Sequence, residues 1–176
     1  MASDILSGFL SWFSTTGAST IAQFGLLGIF ATAIALNATV FFGIPMEILL
    51  IAFYYSTRID PLIIALAAGS GAAIGEMIIF YAGWKSKWLS GKVEKSKSKL
   101  LQKVRREINA KGPIAEFILF VIPLPIDFVG IMCGIMKMNP LKFFLTALIA
   151  KIARYYLVMA LVVWGIGLIA RLFGFG

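Results

Sequence analysis

The sequence predicts an all-α integral membrane protein, built as an inverted repeat of a re-entrant helical hairpin plus a transmembrane helix, with an extra N-terminal transmembrane helix. Three observations predict it. The chain is too apolar for water, its positive charge is gathered in one loop, and two of its apolar stretches share one proline-punctuated layout.

Of the 176 residues, 60% are hydrophobic and 14% are charged, with a mean hydropathy of +0.94. A soluble domain carries about 25% charged residues. A chain of this length cannot hide so much apolar surface from water. Lipid is therefore expected to be the solvent for part of it, in a single membrane domain over 1–176. The net charge is +8, and ten of the sixteen basic residues fall between Lys85 and Lys111. Only Glu94 and Glu107 oppose them there, so the rest of the chain is neutral. That distribution excludes a basic nucleic-acid-binding domain. By the positive-inside rule it places the loop in the cytoplasm of a multi-pass protein of the cell membrane.

The elements follow in order. Residues 2–16 are moderately apolar but too short to cross about 30 Å of hydrocarbon, which predicts an interfacial helix with Trp12 at headgroup level. No basic region precedes this stretch, so a cleaved signal peptide is not expected. Residues 20–42 carry no charge and are long enough for a first transmembrane helix. Residues 43–58 are apolar but short, and Gly43, Pro45 and Glu47 open them, so a re-entrant hairpin is predicted. Residues 61–84 form a second span. Pro61 suits its first turn, where a missing N–H costs nothing. Gly71-x-x-x-Gly75 and Ala68-x-x-x-Ala72 give it a small-residue face.

The basic loop, 85–112, holds Val93, Leu100, Leu101, Val104 and Ile108 at helical spacing. It reads either as an amphipathic helix on anionic headgroups or as a solvated linker with some helix. Residues 113–138 are apolar but interrupted by Pro123 and Pro125, which cannot both sit in an unbroken helix. A second re-entrant hairpin resolves this. Residues 140–172 form a last span, longer than a bilayer needs, which predicts tilt, a break near Gly165, or a tail in the interface.

The repeat runs Pro45-Met46-Glu47, a short arm, Pro61 and a span with Glu76. It then runs Pro125-Ile126-Asp127, a short arm, Pro140 and a span with Arg154. With the basic loop inside, the span from Pro61 runs inward and that from Pro140 runs outward, so the repeat is inverted. That is the layout of many secondary transporters.

The same residues resemble a family. Pro45-Met46-Glu47, Gly71 to Gly75 with Glu76, Tyr81-Ala82-Gly83, Phe117 to Pro125, Gly134 and Phe143-Phe144 together resemble the DedA/VTT (SNARE-associated) superfamily over about residues 40–165, closest to its short YqaA-like branch. The resemblance implies movement of phospholipids or polyprenyl phosphates between leaflets, as a flippase or scramblase, driven in bacterial members by a proton or sodium gradient. One departure stands out. Typical members carry arginines around the second hairpin's proline, where this chain has Phe120 and Ile126-Asp127. Arg154 or Lys151 would have to supply that cation.

Charges at membrane depth are costly and mark functional sites by default. The candidate substrate- or ion-binding residues are Glu47, Asp127, Arg154, Glu76 and Lys151. Lys151 and Arg154 share a helix face and could hold a phosphate, and the acids could bind a proton or cation. The plain alternative is a structural ion pair, for example Glu76 with Arg154. Glu116 reads as solvated near the cytoplasmic surface, and Cys133 as a packing residue. With no histidine and a single cysteine, neither a metal site, a cofactor, a disulfide nor enzymatic chemistry is expected. Membrane lipids are the expected partners, with anionic headgroups at the 85–112 loop, no nucleic acid, and a homo-oligomer left open. The leading reading is a translocase of lipids or lipid phosphates. The alternatives are a small-ion or proton-coupled transporter or channel, an intramembrane lipid phosphatase, and an assembly protein.

Overall fold

The computed structural model describes residues 23–38, 46–86, 99–121 and 128–172. The predicted interfacial helix at 2–16 and Asp127 lie outside the described residues. Seven helices and no strand are defined among the described residues: α1 (Leu26–Asn37), α2 (Met46–Thr57), α3 (Pro61–Lys85), α4 (Lys99–Lys111), α5 (Pro113–Val121), α6 (Phe128–Ile135) and α7 (Pro140–Leu172). Among the described residues, two helices are long and apolar enough to cross a membrane, Pro61–Lys85 and Pro140–Gly165.

Both long helices start from the same joint. Arg58-Ile59-Asp60-Pro61-Leu62 leads into α3, and Lys137-Met138-Asn139-Pro140-Leu141 leads into α7. In each the basic residue takes the left-handed conformation, at φ 57. In each the Asx side chain caps the helix: Asp60 Oδ1 accepts from the Leu62 N–H at 2.7 Å, and Asn139 Oδ1 from the Leu141 and Lys142 N–H groups at 3.0 and 3.2 Å. The cap and the proline at the first helical position fix the start of the helix. Left-handed backbone is unfavourable for a residue with a Cβ. Both cations offset that cost with aromatic contacts. Arg58 lies over the Tyr54 and Tyr55 rings at 5.9 and 5.3 Å. Lys137 lies over Trp84 at 4.9 Å and donates to the Trp84 carbonyl in the last turn of α3.

The short helices divide into two sets around the long pair. Residues of α1 and α2 form one apolar cluster with Ile64, Ala68, Tyr155 and Met159 of the long helices. Residues of α4, α5 and α6 form another with Ala73, Phe80, Phe143 and Ala147. Close approach is possible because α3 is rich in small residues. A Cβ on Gly71 would collide with the Phe30 carbonyl of α1, and one on Gly75 would lie 2.6 Å from the Ile34 carbonyl. On the other side, a Cβ on Gly134 of α6 would collide with the Phe80 carbonyl. Gly134→Val is therefore expected to separate α6 from α3, at a cost of about 1–3 kcal/mol. Thermal unfolding in detergent should show this as a fall of several degrees, and an unchanged midpoint would refute the packing.

The outward faces are apolar. Leu141, Leu145, Ile149, Leu157, Leu161 and Trp164 are exposed along α7 at helical spacing, while Lys151 and Glu76 are fully buried. Apolar outside and charged inside is the arrangement lipid demands, since exposed apolar area of this extent is unfavourable in water.

One expectation is overturned, that of a solvated Glu116, and two open ones are narrowed. Helix α7 runs without a break past Gly165 to Leu172. A mid-helix glycine costs only about 1 kcal/mol, less than leaving backbone groups unpaired in hydrocarbon. Glu116 is not solvated but fully buried on α5. The basic segment contributes α4, whose Ile108 is buried in the second cluster, while Lys103, Arg106 and Lys111 stay exposed. One exposed turn of α4 pairs Lys111 with Glu107 at 2.9 Å, which holds the Glu107 carboxyl below its ordinary range.

Candidate polar site

The seam between the two apolar clusters lies at Ala72 and Ala73 on α3, and between Ala150 and Tyr155 on α7. The charged side chains of the core occur along this seam. Lys151 Nζ lies 2.8 Å from Glu76 Oε1, with the two side chains 1% and 0% exposed. It also donates to Asn37 Oδ1 of α1 at 2.9 Å. Asn37 is oriented by its own Nδ2, which donates to the Ala33 carbonyl at 2.9 Å. The Phe120 ring of α5 is 5.1 Å from the ammonium, an additional favourable contact for a desolvated cation. Tyr155, one turn further along α7, is buried and hydrogen-bonded to Asn37. Lys151 thus ties α1, α3, α5 and α7 together at one point.

Arg154 pairs with the acid of a different helix. Its Nε donates to Glu47 Oε1 at 2.8 Å, and its Nη2 lies 2.5 Å from the same oxygen. Both side chains are 12% exposed, so this pair reaches the surface of the protein where the Lys151 pair does not. Both guanidinium contacts converge on one carboxylate oxygen. A carboxylate can accept two parallel bonds from arginine on its two oxygens. Here that arrangement is not used, and Nη1 is not engaged by Glu47 among the described residues.

The structure brings four of the five candidate residues to α7 in two pairs, Glu76 with Lys151 and Glu47 with Arg154. The pairing of Glu76 with Arg154 suggested as a structural alternative is not the one formed. Lys151 and Arg154 share a sequence interval of three, yet they serve different acids, because α3 and α2 meet α7 at different points. Two residues of the seam were not picked out from the sequence. Asn37 was legible as the amide within a charge-free apolar run, and Glu116 as an acid flanked by Ile114, Ala115, Phe117 and Ile118. Among the described residues, no group of three His, Cys, Asp or Glu side chains is placed to hold a metal ion.

A family model described as VTT domain matches residues 44–163, from just before α2 to the last third of α7. It covers both ion pairs and Glu116, and leaves out Asn37. No curated protein and no solved structure matches the chain.

Proposed function

The chain belongs to the VTT domain family, that of the DedA membrane proteins, and from that membership we propose that it is a translocase moving lipids or lipid phosphates between leaflets. The observation that carries the reading is the Arg154–Glu47 pair: a partly exposed guanidinium whose contacts to Glu47 run through Nε and Nη2 to a single carboxylate oxygen. A phosphate group is the anion that planar fork binds best. The Lys151–Glu76 pair, three residues earlier on α7, is sealed and acts as a structural clasp. Glu47 keeps Arg154 neutralised when no headgroup is bound, and the second acid of the repeat, Asp127, stands at the matching place in the sequence.

The two joints before Pro61 and Pro140 support the repeat, since dihedral, cap and proline agree at both. In this reading α2 and the α5–α6 pair are re-entrant arms entering from opposite faces, and α1 is part of an additional span. The arms are too short to cross as helices. The exposed cations of α4 lie against anionic headgroups on the cytoplasmic side. The proposed role is transport, not catalysis, and a gradient of protons or sodium is its proposed energy source.

The test is leaflet exchange of a fluorescent phospholipid or polyprenyl phosphate in vesicles containing the purified chain. Exchange above that of protein-free vesicles is expected, with no release of free phosphate. Exchange equal to protein-free vesicles for every lipid phosphate tried would refute the reading. Ion-gradient currents indifferent to added lipid phosphate would place the protein with small-ion transporters instead.

A further inference from the structure

Glu116 takes no part in either ion pair. It sits in the first turn of α5, is 0% exposed, and neither carboxyl oxygen has a hydrogen-bond partner among the described residues. Its electrostatic neighbour is Glu76 of α3. Cys133 of α6 is also buried. One turn beyond Glu116 on α5, the Phe120 ring lies beneath the Lys151 ammonium.

The charges facing this interior can be taken helix by helix. From α3 comes Glu76, and from α7 comes Lys151, already bound to Glu76 and Asn37. From α6 comes the Cys133 thiol. From α4 the buried residue is Ile108, while its Lys103, Arg106 and Lys111 are exposed and Glu107 is half-buried. Lys142, at the start of α7, is exposed too. Among the described residues, two carboxyls therefore share one interior cation, and that cation is committed to the first of them. An unpaired carboxylate without a hydrogen bond in such a place is strongly disfavoured, whereas a neutral acid is tolerated. The positive end of the α5 dipole favours the anion, but that effect is small and fades within the first turn.

We propose that Glu116 is a proton-binding site, a second buried acid that carries a proton while Lys151 neutralises Glu76. Loss of this proton gives the seam a net negative charge and sets two acids in contest for Lys151. The clasp between α3 and α7 is then a function of the proton on α5. This inference goes beyond lipid movement and does not depend on it.

The test uses the full chain in lipid vesicles and the hydrophobic reagent dicyclohexylcarbodiimide. The reagent needs a protonated carboxyl: the acid proton passes to a carbodiimide nitrogen as the carboxyl oxygen bonds to the central carbon. An adduct on Glu116, read by peptide mass, is expected at neutral pH. It should fall about tenfold for each pH unit above the carboxyl's own midpoint. Glu76 should stay unmodified in the same sample. Infrared difference spectra between the native chain and Glu116→Gln, which keeps the shape of the neutral acid, should show one carboxylic C=O band lost. Glu116→Asp, a second variant, should shift that band. The absence of any such band in the native chain, or labelling on Glu76 with none on Glu116, would overturn the proposal. Neither readout involves lipid exchange, so this proposal and the transport reading can fail separately.

Discussion

Lys151→Met is expected to destabilise the protein more than any other single substitution at the seam, by about 3–5 kcal/mol. Lys151 is fully buried and bonded to both Glu76 and Asn37. Its removal leaves a carboxylate with no counter-charge among apolar helices, and that orphaned charge, more than the lost attraction, sets the size of the effect. Thermal unfolding in detergent measures it. The physical cause can be isolated by a second change. Glu76→Gln combined with Lys151→Met removes the orphaned charge and retains similar volume. The double variant should recover at least half of the lost stability. A double variant no better than Lys151→Met alone would show that packing, not charge, sets the cost.

The second large effect is on transport and not on folding. Arg154→Gln should bring leaflet exchange down to that of protein-free vesicles, while the unfolding midpoint falls by much less than for Lys151→Met. The two cations are three residues apart on one helix, but their surroundings differ. Lys151 is sealed, whereas the Arg154–Glu47 pair is partly exposed. Solvent or headgroups reduce the penalty of breaking an exposed pair. Glu47→Gln frees the guanidinium from its intramolecular anion. It is expected to raise the affinity for a lipid phosphate and slow its release, so exchange should slow without loss of binding. Arg154→Lys keeps the charge but not the fork, and should restore little of the exchange. Full exchange in Arg154→Gln vesicles would remove Arg154 from the transport site.

Much of the architecture was legible because its determinants are local. Pro61 and Pro140 mark the starts of α3 and α7, and both helices begin there. The expected break around Pro123 and Pro125 lies outside the described residues. The family was legible from motifs spread along the chain. The partners of the charges were not legible. Spacing places Lys151 and Arg154 on one face of α7, but which acid each meets depends on where α2 and α3 cross that face. Such crossings are set by close contacts like that of Gly71 with the Phe30 carbonyl, which no single stretch of sequence contains. Glu116 was misread because Lys111 and Gly112 precede it and suggest a surface. Its burial comes from the packing of α5 against α7 and α4, seen in the meeting of Phe120 with Phe143 at 6.0 Å. Asn37 became informative only once Lys151 was found against it.

The central claim is that α7 carries two cations that serve two different acids. A double-mutant cycle on unfolding stability tests it most directly. Neutral glutamine is placed at each of the four positions singly and in pairs. The account predicts a coupling of at least about 1 kcal/mol within Glu76/Lys151 and within Glu47/Arg154, and almost none between Glu76 and Arg154. Strong coupling between Glu76 and Arg154, with none inside the two assigned pairs, would contradict it.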